Sequence, residues 1–144
     1  MEINIYDYVN FEQLSEKRYE AIFQEILKVL DKQGDYSLSL SLVSADRIKE
    51  INNEYRNINA VTDVLSFEVD YEILSDEIEI DLGDIFICLE RASEQAIELT
   101  QSLDRELEFL FIHGVLHLFG DDHIEKEDEV LMLDLQRKIV NEIY

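Results

Sequence analysis

The chain has 144 residues and a mass of 17.0 kDa, which fits a single domain spanning 1–144. Its 47% hydrophobic and 10% aromatic content excludes a disordered polymer. Its 12 basic against 34 acidic residues, a net charge of −22, exclude a nucleic-acid binder that works through a broad basic surface. Any nucleic-acid contact must therefore be local and must act against the overall field. Cys88 is the only cysteine, so intrachain disulfides and thiolate metal clusters are ruled out and a reducing compartment fits.

Ile3, Ile5 and Tyr8 suggest a first strand. Nothing between Met1 and Asn10 resembles the basic and apolar regions of a signal peptide. From Ser15 to Lys32, the residues Tyr19, Ile22, Phe23, Ile26, Leu27 and Leu30 recur at helical spacing, and Gly34 is expected to close the segment. Tyr36 to Val43 alternates strictly between apolar and polar, the period of a half-buried strand. A helix is predicted from Ser44, a plausible N-cap, to Arg56, with Ile48, Ile51 and Tyr55 on one face. Strands are predicted over Val64–Val69 and Ile78–Cys88, and three helices over Glu90–Gln101, Asp104–Phe119 and Glu125–Ile143. This order describes an α+β (α/β-like) domain, a small four-stranded mixed sheet with about five helices.

With no proline and four glycines, the turns must be made by Asn, Asp and Ser. The acidic stretch Asp70 to Glu77 reads as a solvated connection with no catalytic role, since close like charges repel unless they stay in water. The longest apolar stretch, Phe109 to Phe119, is broken by His113, Gly114 and His117 and is too short to cross a bilayer. A soluble, cytoplasmic chain with no membrane partner is expected.

All three histidines fall within His113-Gly114-Val115-Leu116-His117-Leu118-Phe119-Gly120-Asp121-Asp122-His123. His113 and His117 are four apart, so on a helix both imidazoles leave from one face. Gly120 stands where the helix should end, and the chain can then turn to bring His123 back as a third ligand. Three neutral imidazoles leave a tetrahedral position open, the composition of a catalytic zinc site at the end of a helix, although nickel and iron accept the same donors. A peptidase is disfavoured. Metalloproteases with this spacing carry a glutamate directly after the first histidine, and here that position is Gly114.

These residues resemble the signature His-Gly-x-Leu-His-Leu-x-Gly-x-Asp-His of the YbeY family, metal-dependent single-strand-specific endoribonucleases of bacterial ribosomal RNA maturation. Asn52-Asn53-Glu54-Tyr55-Arg56, Thr62-Asp63-Val64-Leu65-Ser66-Phe67 and Leu82-Gly83-Asp84-Ile85 are similar to further family motifs, in the same order. The chain departs from the pattern at Ala60-Val61 and Glu68, where the family often has Lys-Pro and proline, and at Asp121, where tyrosine is common. The loop is thereby less basic and less rigid.

The resemblance implies one zinc ion on His113, His117 and His123, with Arg56 as the basic residue beside the metal cleft. The zinc would generate hydroxide from its bound water near neutrality and polarise a phosphoryl oxygen, the attacking group being that water or a ribose 2′-hydroxyl, and the planar fork of Arg56 suits a phosphate. Asp63 and Ser66 are expected to order the loop. The alternative reading of Arg56 is an ordinary surface residue paired with Glu54 or Asp63. The implied function is a zinc-dependent endoribonuclease of late-stage ribosome quality control and of the 3′ end of small-subunit (16S) ribosomal RNA, with ribosomal RNA and the ribosome or its proteins as partners. Two other readings remain open: a zinc hydrolase of another substrate, and a ribosome-assembly factor with structural zinc whose acidic surface docks on basic ribosomal proteins.

Overall fold

Strands and helices alternate as β1 (Glu2–Asp7), α1 (Glu16–Val29), β2 (Asp35–Val43), α2 (Ala45–Arg56), β3 (Val64–Glu68), β4 (Glu79–Cys88), α3 (Leu89–Glu98) and α4 (Leu103–Leu118). The structure is a computed structural model that describes residues 2–11, 13–69, 79–119 and 137. The strands form one mixed sheet in the order β1-β2-β4-β3, with β1, β2 and β4 parallel and β3 antiparallel to β4. The α+β class holds, with four helices in the described residues. The fifth, expected over Glu125–Ile143, lies outside them apart from Arg137, and so does the acidic stretch Asp70 to Glu77.

Three of the four helices start on serine. Ser15, Ser44 and Ser102 each accept a hydrogen bond from the backbone N–H three residues on, at 3.3, 3.2 and 3.1 Å. This satisfies one of the donors that every helix start leaves unpaired, in a chain with no proline to preset φ. At the far end of α2, Asn57 takes a left-handed conformation (φ 59°) and its N–H bonds back to Asn52 and Asn53. Helix α1 stops at Val29, before the expected Lys32. Asp31, at φ 52°, makes the left-handed turn there, and Gly34 instead leads into β2.

One face of the sheet is covered by α1 and α4. Ile22, Phe23 and Ile26 meet Leu38, Leu40, Leu42, Ile85 and Ile87 from the strands and Phe111 and Val115 from α4. Each such side chain contributes roughly 1.5–3 kcal/mol by leaving water. Tyr19 packs edge-on against Phe111 with ring centroids 5.0 Å apart. The Arg18–Glu108 pair, at 2.8 Å, ties α1 to α4 at a buried carboxylate. On the opposite face, Val43, Leu65 and Cys88 pack with Ile48 and Ile51 of α2.

Strand β2 corrects the half-buried expectation. It lies between β1 and β4 and both of its faces are covered, so Ser37 and Ser41 are buried along with the leucines. The period of two is real, but it marks two covered faces, one leucine-rich and one lined by small hydroxyls.

Candidate functional site

The antiparallel strand β3 is an edge of the sheet, and a cleft of about 320 Å³ runs along it. Its lining comprises Arg56 from α2, Thr62, Asp63, Val64, Leu65, Ser66 and Glu68 on and before β3, and His113 and His117 from α4. Register explains how three elements meet there. Val64 and Ser66 stand opposite Ile87 and Ile85, on the face that α4 covers, whereas Leu65 and Phe67 stand opposite Phe86 and Asp84, on the face of α2. Asp63 accepts from Cys88 N–H and Val69 N–H donates to Leu82, so every second residue of β3 bonds to β4. Between them, Val64, Ser66 and Glu68 turn their backbone groups toward the free edge.

His113 and His117 lie in the last two turns of α4, half-buried, with ring centroids 4.4 Å apart at 65°. Their Nε2 atoms approach to 2.9 Å. Two imidazole nitrogens this close can share a proton or a cation. Tetrahedral ligand bonds of about 2.0–2.1 Å would place such donors roughly 3.3 Å apart, a few tenths of an ångström from the observed spacing. These two nitrogens are therefore spaced as two ligands of one metal ion would be, and the described residues add no third. His123 and Gly120 lie outside the described residues.

The pair is held by close packing of α4 on β4. A Cβ at Gly114 would meet Ile85 Cγ2 at 2.9 Å. The residue between the two histidine turns is therefore glycine for contact, a reason beyond its lack of a catalytic carboxylate. At β4, a bulge shifts the pairing with β2 between Ser37 and Ser39. Gly83 sits in it at φ 128°, so close to β3 that a Cβ would fall 2.0 Å from Phe67 O. Only glycine allows that approach.

Arg56 reaches around the free edge of β3. Its Nη2 donates to the Ser66 carbonyl at 2.9 Å, and its guanidinium lies 5.4 Å from the centre of the Phe67 ring. The alternative pairing with Glu54 or Asp63 is not what the side chain does. Among the described residues no carboxylate neutralises it, and it is the only basic residue in the cleft lining. Ser66 links the two sides of the site, since its carbonyl holds Arg56 while its hydroxyl donates to the Gly114 carbonyl at 3.4 Å.

Asp63 orders the preceding loop. Oδ1 accepts from Val64 N–H at 2.8 Å and from the Thr62 hydroxyl at 3.3 Å, and Oδ2 accepts from Gln95 Nε2 at 3.1 Å. Behind it, the buried Glu106 accepts from Gln101 Nε2. Burial pushes the Glu106 carboxyl above the usual range, the Gln101 bond opposes this and the Asp63 charge adds to it. Gln95 and Glu106 escaped the sequence reading because a lone polar residue on a helix carries no periodic signal. Their roles exist only once α3 and α4 pack behind the loop.

The sequence model of the family described as Endoribonuclease YbeY matches residues 4–144. Relatives named Endoribonuclease YbeY include one from Caldicellulosiruptor bescii, 39% identical over 95% of this chain and 92% of its own length. Another, from Exiguobacterium sibiricum, is 44% identical over 76% of this chain and 73% of its own. The solution structure of TM1509 from Thermotoga maritima superposes with a TM-score of 0.65 at 31% identity, covering 98% of this chain and 88% of that one. A histidine pair at the end of a buried helix, an arginine across a strand edge, and a match over nearly the whole chain lead to one conclusion: the chain belongs to the YbeY endoribonuclease family.

Proposed function

We propose that this protein is a metal-dependent endoribonuclease that cuts single-stranded RNA, with ribosomal RNA precursors, including the 3′ end of the small-subunit RNA, as its substrates. The observation that carries the reading is the convergence of His113 and His117 Nε2 to 2.9 Å in a cleft that Arg56 also lines. His113, His117 and His123 would hold zinc, which supplies Lewis acidity toward a phosphoryl oxygen and activation of water.

The remaining chemistry belongs to the chain. Arg56 spends one N–H on the Ser66 carbonyl, which fixes the plane of its guanidinium and leaves the other donors for a phosphate. Its charge then offsets the negative charge that grows on the non-bridging oxygens as the nucleophile arrives. Glu68 and Asp63 in the lining repel a stray phosphate and keep the anion near Arg56. No described helix is long and apolar enough to cross a membrane.

The test is cleavage of a single-stranded ribosomal RNA fragment by purified protein, with and without chelator and zinc add-back. Zinc-restored cleavage that His117→Ala lacks is the expected result. Cleavage that persists in chelator, or in His117→Ala, would overturn it.

A further inference from the structure

A chain of charge −22 that acts on RNA needs a way to hold a polyanion, and among the described residues Arg56 is the only lysine or arginine that lines the cleft. The rim beside Arg56 carries no charge of either sign. Residues 57–62 read Asn-Ile-Asn-Ala-Val-Thr, six positions without a charge in a chain that is 32% charged. Ile58 and Val61 on this rim are exposed (50% and 39%), and so is Tyr55 (66%) in the last turn of α2. The Tyr55 ring leans on Phe67 with centroids 5.4 Å apart and planes at 59°, while Arg56 lies over the same Phe67 ring at 5.4 Å. Phe67 is in turn braced edge-on by Phe86 at 5.9 Å. One ring thus positions an aromatic face and a cation side by side on the α2 side of the β3 edge, and of the two it is Arg56 that also lines the histidine cleft.

Resting on the proposed RNA-cleaving function, we propose that Tyr55 is the base-reading residue of this site. Its exposed ring stacks on the nucleobase of an unpaired nucleotide whose phosphate sits at Arg56, and the uncharged rim of Ile58 and Val61 borders that base. An aromatic face is indifferent to the field that repels phosphates, because every base offers a π-face and carries no charge. The design resolves the charge problem by holding the strand through one base and one phosphate, not through a basic groove. It also favours single strands, since a base inside a duplex has no free face to offer.

The salt dependence follows. A single-stranded ligand releases counterions with a slope of about −0.7 per phosphate contact, so one contact predicts roughly a threefold loss of affinity between about 50 and 200 mM salt. A backbone-tracking groove with about six contacts would lose roughly 300-fold over the same range.

The test measures fluorescence anisotropy of labelled RNA octamers on the purified full-length protein: oligo(A), oligo(U) and an octamer of abasic ribose phosphates. Oligo(A), with the larger stacking face, should bind more tightly than oligo(U), and the abasic strand at least about tenfold more weakly than oligo(A). Tyr55→Ala and Tyr55→Leu should each lose about tenfold for oligo(A) and nothing for the abasic strand. Tyr55→Phe should bind like the parent, because stacking needs the ring and not the hydroxyl. Tyr8→Ala, an exposed tyrosine on the other sheet edge, is the control and should bind oligo(A) like the parent. Equal binding of abasic and oligo(A) strands, parental affinity in Tyr55→Leu, or a salt slope steeper than about −3 would overturn the inference. Cleavage of the same oligo(A) by the parent is read separately. Tyr55-dependent binding without cleavage would sink the nuclease reading and leave this one standing, and cleavage with Tyr55-independent binding would do the reverse.

Discussion

Helix α2 places an arginine near each side of the sheet, and the two arginines have opposite fates. Near its start, Arg47 borders a pocket with Tyr8, Val43, Ser44 and Phe86 on the β1 side, and its guanidinium is neutralised by Glu50 at 3.0 Å. At its end, Arg56 donates instead to a backbone carbonyl of β3 and lies over Phe67, beside the histidine pair. Both neighbourhoods hold an exposed tyrosine, Tyr8 on one side and Tyr55 on the other. What separates them is the partner of the cation. A carboxylate cancels the charge, whereas a neutral carbonyl orients the guanidinium and leaves its charge for a ligand. An aromatic ring beside an arginine is therefore not enough to mark a site; the free charge and the neighbouring imidazoles are.

The most damaging change to the β3 side should be His117→Ala. It removes one of the two converging nitrogens, and both metal content and cleavage are expected to fall to background by metal analysis and RNA assay. Metal content equal to the parent would remove His117 from the site.

Next is Arg56→Ala, expected to keep the fold and the metal while slowing cleavage by about 10²–10³-fold, the scale seen when a charge-stabilising donor is deleted. Arg56→Lys should recover only part, since a lysine lacks the planar fork. Full activity in Arg56→Ala would erase the contrast with Arg47.

Gly114→Ala tests the scaffold beneath that contrast. Its new methyl meets Ile85 at 2.9 Å, so denaturant unfolding should show a loss of about 1–3 kcal/mol. No change in Gly114→Ala would show that α4 is not seated tightly on β4.

Glu106→Gln probes the buried support behind the loop. The folded-state carboxyl titrates above its unfolded value, chiefly through burial, so the native state holds its proton over a pH range where the unfolded chain has released it. Stability from this group is fully present below the ordinary glutamate range and is lost as pH rises through the raised value. The melting temperature of the parent should therefore fall relative to that of Glu106→Gln over that window, with the curves parallel at higher pH. Parallel curves throughout would show that the carboxylate carries no such cost.

The smallest effect belongs to the other side of the sheet. Arg47→Ala removes an exposed pair worth about 0–1 kcal/mol and should leave cleavage within about twofold. A loss on the scale of Arg56→Ala would erase the difference between the two ends of α2.

How far the sequence reaches by itself follows from the range of the forces involved. The Ser44 cap, the helical periods and the i, i+4 placement of His113 and His117 depend on neighbours within one or two turns, and all are legible in the chain itself. The turn that ends α1 is not legible there, because Asp31 in a left-handed conformation announces itself less clearly than glycine. Burial of the serine face of β2, the contact that makes position 114 a glycine, and the Asp63–Gln95 bond were decided only by tertiary structure. Each depends on which element lands against which, and no local pattern encodes that. Arg56 shows the boundary most clearly. Its place at the end of a helix was plain from the chain, but its value to the site comes from an edge strand that leaves a carbonyl free and from histidines 57 and 61 residues further on.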